Sequence, residues 1–314
     1  MPVHWYYDRE ALRRDYGEVR EYQAPRHPHP DSILWRSEYK SLNERGDILR
    51  DQAQFWGKRG IHYHQFLQAG ESTLNLQLAR VLMTSMIERG GYDAGDYLKR
   101  YVDFFLTPGR HRDTYIEECH RKFFTAYARG KHPRKCGGSD IHIGGLAHVG
   151  VLVAGVAGDV EVMREVVLEH VSLTHRSPEV VAAADGLVKI LAAVLGGAGL
   201  REAIVEHGNV WLSDRKAQEW SKEPDDVVIG QRVSPACYIG DAFPASLYLA
   251  WKYADNYEAG LIANTMVGGD NCHRGAVVGA LLGAAAGGKG IPERWQDGLW
   301  DAEGLRRQIG MLLG

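Results

Sequence analysis

Asp270, Asn271, Cys272 and His273 occupy four consecutive positions behind the pair Gly268–Gly269 and ahead of a run of small residues. A carboxylate, an amide, a thiol and an imidazole side by side can hold a metal, move protons or attack an electrophile. The two glycines allow a tight turn and a close approach of backbone to a ligand. The small-residue run from Ala276 to Gly288 reads as a helix, whose N-terminal N–H groups and positive dipole end favour an anion beside the loop. Three other groups carry candidate chemistry. Gly70-Glu71-Ser72-Thr73 precedes an apolar helical pattern, and Asp140-Ile-His142 lies in a turn rich in glycine (Gly137, Gly138, Gly144, Gly145). His62 and His64 stand just ahead of Glu71.

Helices must position these groups. From Thr73 onward Leu74, Leu78, Val81, Leu82 and Met86 recur at three- and four-residue spacing, which marks one buried face, with Ser72 or Thr73 as its cap. Further helices are expected at 92–106, 113–130, 143–156, 160–174, 178–195, 200–208, 241–254, 257–267 and 274–287. Pro178 suits a first helical turn, and Thr107-Pro-Gly109 is a stop signal. Alternation with period two is almost absent, so the fold class is all-α. Residues 1–60, aromatic and proline-punctuated, read as irregular structure with short helices. The polar stretch 213–232 reads as an excursion loop within a single domain spanning 1–314.

Composition bounds the function. With 45% apolar and 25% charged residues the chain is that of a globular protein. Lys and Arg number 37 against 40 for Asp and Glu, a net charge of -3, which gives no global attraction to nucleic acid or an anionic membrane. The four cysteines lie far apart with no paired spacing, so neither a disulfide framework nor a zinc knuckle is signalled. No apolar run reaches membrane-spanning length. A cytoplasmic protein acting on a small molecule or a modified side chain is expected, with no nucleic acid and no membrane as partner.

The segment 264–299, N-T-M-V-G-G-D-N-C-H-R-G followed by a Gly/Ala-rich helix and I-P-E-R-W-Q-D-G-L, resembles the ADP-ribosylglycohydrolase family, including the dinitrogenase-reductase-activating glycohydrolases. Members end in N-x-x-G-G-D-T-D-T, a small-residue helix and I-P-x-x-W. Gly70-Glu-Ser-Thr73 stands where the family has T-D-D-T, Thr174-His175 matches a Thr-His pair, and Tyr257-Glu-Ala259 matches the opening of the penultimate helix. Met1 to Trp5 looks like the continuation of the family's first helix, so a truncated N-terminus or a missed upstream start is expected. The resemblance implies a compact orthogonal assembly of helices around a central cleft. There two magnesium ions position the ribose of ADP-ribose and a water for cleavage of an N- or O-glycosidic bond.

Carried over position by position, the metal motifs diverge. Glu71 and Ser72 replace two aspartates, Asn271 replaces a threonine, Cys272 an aspartate and His273 a threonine; Thr73 and Asp270 persist. Magnesium requires hard oxygen ligands, so a family-type magnesium pair is not expected and the cofactor is left open. If a metal binds, Glu71, Asp270 and His273 are its candidate ligands, a set that suits zinc or iron. The expected catalytic residues are Glu71, Asp270, Cys272 and His273, with Glu71 and Asp270 facing each other across the cleft. Ser72, Thr73, Asp140, His142, Gly268, Gly269 and Asn271 are expected to bind substrate. Two alternatives stand beside this hydrolase: an enzyme of another type with Cys272 as nucleophile and His142 or His64 as base, and a non-catalytic binder of ADP-ribose-like ligands. Each residue also has a plain structural role open to it. Cys272 can be a small buried hydrophobe, Glu71 a first-turn acid, and Arg274 a surface residue or a phosphate contact.

Overall fold

A computed structural model describes residues 2–156 and 158–314. Among them are helices and three isolated backbone bridges, with no sheet. The helices in order are α1 (Arg9–Tyr16), α2 (Leu74–Arg89), α3 (Ala94–Leu106), α4 (Glu118–Ala128), α5 (Val149–Gly155), α6 (Val160–Ser172), α7 (Pro178–Leu195) and α8 (Leu200–Gly208). They continue with α9 (Asp214–Trp220), α10 (Asp225–Val227), α11 (Ile239–Lys252), α12 (Tyr257–Met266), α13 (Asn271–Ala286), α14 (Glu293–Asp297) and α15 (Ala302–Leu313).

Helix α7 is the axis of the core. Val180, Ala183, Ala184, Leu187, Val188, Ile190 and Leu191 are buried, and α5, α6, α8, α11 and α13 all pack on it. So wide a buried stripe is what an apolar helix surrounded by others requires. Helix α2 buries Leu74, Leu78, Leu82 and Met86, the face its spacing predicts, and stops at Gly90 in the left-handed conformation. Close approach of α12 to α13 depends on small residues: a Cβ on Gly260 would lie 2.5 Å from Leu282. Among the described residues no helix is long and apolar enough to cross a membrane.

Several boundaries differ from the sequence expectation: the helix expected at 143–156 is a 3-10 turn at Ile143–Leu146 followed by α5, and three further differences have an evident local reason. Helix α13 begins at Asn271 rather than Arg274, because the Asp270 side chain caps it by accepting from the His273 backbone N–H. Cys272 and His273 therefore sit in its first turn. Helix α4 begins at Glu118 rather than Asp113, because Asp113 is turned toward α2, where its Oδ2 accepts from the Leu74 N–H. The stretch expected as a loop contains α9, capped by the Ser213 hydroxyl.

The N-terminal segment is stapled to the glycine loop. The Trp5 N–H donates to the Gly269 carbonyl (2.9 Å) and the Gly269 N–H to the Tyr6 carbonyl (2.7 Å). Both glycines have positive φ, and a Cβ would come 2.3 Å from the Tyr6 oxygen at Gly268 and 2.0 Å from the Pro235 oxygen at Gly269. Only glycine fits this crossing.

Candidate active site

The first turn of α13 delivers Asp270 and His273 to one point. Asp270 is wholly buried. Its carboxylate lies 2.8 Å (Oδ1) and 3.0 Å (Oδ2) from His273 Nδ1, and Oδ1 is also 3.0 Å from His4 Nε2. On the other side of the imidazole, His273 Nε2 lies 3.0 Å from Glu117 Oε1. Asn75, from the first turn of α2, donates its Nδ2 to the same oxygen at 2.8 Å. An imidazole is thus held between two carboxylates, contributed by the starts of α13 and α4 and steadied from α2.

Electrostatics follow from this packing. Burial disfavours charge on His273, but Asp270 and Glu117 outweigh it and hold the imidazole well above its ordinary range. Burial alone raises both carboxyls; His273 nevertheless pulls Glu117 down to about 2 and holds Asp270 well below its usual range. These shifts favour an imidazolium between two carboxylates.

These groups line a cavity of about 490 Å³ together with Trp5, Tyr7, Tyr63, Tyr115, Arg36, Arg121, Asp140, His142, Cys237 and Tyr238. Asp140 Oδ1 accepts from the His142 backbone N–H (3.0 Å) and lies 2.7 Å from His142 Nδ1. Its Oδ2 has no hydrogen-bond partner among the described residues although it is buried. Burial works against charge on His142, but Asp140 and Cys237 raise the imidazole to about 11. The Tyr238 ring stacks on His142 with centroids 5.3 Å apart and is half exposed. Gly144 lets the Gly-rich turn close on the site: a Cβ there would lie 2.8 Å from Glu117 Oε2.

Of the residues expected from sequence, the structure brings Asp270, His273, Asp140 and His142 to this cavity. It does not bring Glu71 there. Gly70, at φ +82° with the Gly298 carbonyl against its Cα, turns the chain away. Glu71 then accepts from the Gln68 N–H at 2.5 Å and pairs with Arg112. Ser72 lines a different cavity with Arg112 and Trp300, and Thr73 is buried at the start of α2. Gly268 and Gly269 serve the backbone crossing, and Asn271 Nδ2 donates to the carbonyls of Val3 (3.2 Å) and Thr265 (3.1 Å). Cys272 lies beside His4 and His64; burial pushes its thiol up, but those imidazoles outweigh it and hold it well below its usual range.

Arg274 is neither a surface residue nor a phosphate contact. It is fully buried, donating to Asn264 Oδ1 (2.8 Å), the Asn264 carbonyl (3.0 Å) and the Gly268 carbonyl (2.7 Å), and so pins the loop from below. Glu117, Asn75 and His4 escaped the sequence reading. The one signal for Glu117 was its place at the start of an amphipathic helix, where an acid ordinarily reads as a dipole contact.

The profile of the ADP-ribosylglycohydrolase family matches residues 1–313. Among solved structures, one described as an ADP-ribosylglycohydrolase-related protein complex superposes with a TM-score of 0.61 at 24% identity. The match covers 79% of this chain and 82% of that one. A comparison with curated proteins finds no match.

Proposed function

The chain belongs to the ADP-ribosylglycohydrolase family, and we propose that it hydrolyses an N- or O-glycosidic bond at the ribose of an ADP-ribosyl or nucleotide-like substrate without the family's magnesium pair. One observation carries this reading: the His273 imidazole clamped between Asp270 and Glu117 at the wall of a cavity of small-molecule size. Glycoside cleavage builds positive charge at the anomeric carbon in an oxocarbenium-like transition state. Glu117, held as a carboxylate and bordering the cavity, can stabilise that charge and orient the attacking water by accepting a hydrogen bond from it. His273 orients the Glu117 carboxylate and, as an imidazolium, supplies fixed positive charge between two buried anions. Tyr115 and Tyr238 present aromatic faces for a base, and Arg36 and His142 present positive charge for phosphates.

The donor set supports a reaction without two magnesium ions, which need several hard oxygen ligands in near-octahedral order. Asp270 has both oxygens engaged by imidazoles, Glu71 is paired with Arg112 outside the cavity, and the other matched positions carry the Ser72 and Thr73 hydroxyls, the Asn271 amide, a thiol and an imidazole, with no further carboxylate.

The direct trial incubates the chain with ADP-ribosyl-arginine, ADP-ribosyl-serine and O-acetyl-ADP-ribose, with and without magnesium, and follows release of ADP-ribose. Turnover of at least one without added magnesium is expected, reduced by about 10²–10⁴-fold in Glu117→Gln. Binding by thermal shift with no turnover of any substrate overturns hydrolysis in favour of a binder.

A further inference from the structure

Behind the cavity wall lies a second cluster that the hydrolase reading does not use. His4, from the N-terminal segment, His64, from the turn before α2, and Cys272, from the first turn of α13, bring one donor atom each within 4.8 Å of one another. None of the three lines the 490 Å³ cavity, and both imidazoles are buried.

The outer nitrogen of each ring is held by a buried carboxylate. His64 Nδ1 lies against Asp113 Oδ1, and Asp113 is fixed in turn by the Leu74 N–H. His4 Nε2 lies 3.0 Å from Asp270 Oδ1. A carboxylate beside an imidazole nitrogen sets the ring proton on that nitrogen. The inner nitrogens, His4 Nδ1 and His64 Nε2, face each other at 2.8 Å, a hydrogen bond with one shared proton in the metal-free chain. Loss of the single proton between them leaves two lone pairs aimed at one point, where a cation can take its place. The Cys272 sulfur beside them is a soft donor.

We propose that His4 Nδ1, His64 Nε2 and Cys272 Sγ form a site for one zinc-class divalent cation, with Asp270 and Asp113 as the outer partners of its two imidazoles. Zinc accepts mixed thiolate and imidazole ligands at about 2.3 Å and about 2.0–2.1 Å. A tetrahedral ion of those bond lengths separates two ligand nitrogens by roughly 3.4 Å, so the rings part by only about half an ångström from where they stand. The tripod takes a fourth ligand to complete the tetrahedron. Magnesium has no preference for such donors. The site joins three segments that are distant in sequence, and its expected role is to lock the N-terminal segment onto α13 beside Asp270, so that the metal positions the hydrolytic site without touching substrate.

The test uses the full chain purified without a polyhistidine tag. Elemental analysis of the protein as isolated should find close to one zinc per chain, and titration with zinc against a chelating dye should show one stoichiometric site. Replacement by cobalt should give a thiolate-to-cobalt charge-transfer band. Cys272→Ser should abolish that band, and Asp113→Asn should keep it while weakening zinc binding by about 10–100-fold. Cys136→Ser, at a buried cysteine elsewhere, should leave both unchanged and guards against a general effect of thiol loss. Absence of stoichiometric zinc binding by the unaltered chain overturns the proposal, and so does zinc affinity unchanged in both Cys272→Ser and His64→Gln. Metal content is read without substrate, so this result is separate from the outcome of the hydrolysis trial.

Discussion

Asp270 grips His273 twice within one helical turn, accepting from its backbone N–H at 3.3 Å and meeting its ring Nδ1 at 2.8 Å. The first contact starts the helix and the second sets the charge and orientation of the ring that faces Glu117. Asp270→Asn keeps the shape and can still cap α13, but it removes the anion that holds the imidazolium. Loss of one partner from a buried charge pair costs about 3–5 kcal/mol, so a clear fall in melting temperature is expected together with at least a roughly 100-fold loss of turnover. NMR titration of His273 supplies a readout that simple destabilisation would not move: charged above neutral pH in the parent, lower in the variant. An unchanged titration would show that Asp270 only caps the helix.

Gly144 and Gly269 separate effects on the site from effects on the fold. At Gly144 the backbone is ordinary and an added Cβ meets the end of the Glu117 side chain at 2.8 Å. A flexible carboxylate can move by a few tenths of an ångström, so Gly144→Ala should fold with a nearly unchanged melting temperature. The displaced Glu117 should still lower turnover by about 10-fold or more, because small misplacements of reacting groups are costly. At Gly269 the Cβ would meet the Pro235 carbonyl at 2.0 Å with φ at +66°, and the backbone cannot give way. Gly269→Ala is expected to yield little soluble protein. If instead it folds and Gly144→Ala does not, the division between the two loops is misassigned.

Much of the helical frame was legible because burial imposes a period. Leu74, Leu78, Leu82 and Met86 announce α2, and Pro178 marks the start of α7. Asp270 was legible as a candidate position through its motif. The partners of Asp270 and His273 were not, since Glu117 reaches His273 and His4 reaches Asp270 from places more than 150 residues away and no local pattern marks either. Glu71 shows the converse. Its motif position promised a role opposite Asp270, but the positive φ of Gly70 and the pairing with Arg112 turn it away from the cavity, and backbone direction at a glycine is invisible in the sequence. The early start of α13 belongs to the same class, because the cap at Asp270 is a side-chain contact rather than a propensity.

Tyr238 is half exposed and stacks on His142 at the cavity edge. Removing its ring leaves the core intact and Asp140 still beside His142. Base–aromatic stacking contributes about 1–3 kcal/mol in nucleotide sites, so Tyr238→Ala should raise KM by roughly 5- to 100-fold for a nucleotide-containing substrate, with kcat changed far less. A fall in kcat at constant KM would place the ring near the reacting bond rather than under a base.

Acid should destabilise the fold well before carboxylates titrate. His148 lies between the Asn75 carbonyl (2.9 Å from Nε2) and His170 Nε2 (3.0 Å from Nδ1), and His120 between Tyr101 and Asn75. Burial lowers His148 to about 4 and His120 to about 3, and holds His170 well below its ordinary value. In the unfolded chain each binds its proton near pH 6.5. Between about pH 6.5 and 4 the unfolded state therefore carries more protons than the folded one, and stability falls as pH falls through that window. Glu117, pulled down to about 2, adds its own loss only below its ordinary range near 4.5. The raised imidazoles act with the opposite sign: their contribution is complete below about pH 6.5 and is lost as pH climbs, through about 9 for His64 and about 11 for His142. A melting series from pH 7 to pH 4.5 should fall steadily, a loss of about 2 kcal/mol corresponding to a shift on the order of 5 °C. His148→Gln, which cannot titrate, should start lower and fall less steeply. A flat series over this range would mean that these rings are already protonated in the fold, contrary to the hydrogen bonds that His148 makes with Asn75 and His170.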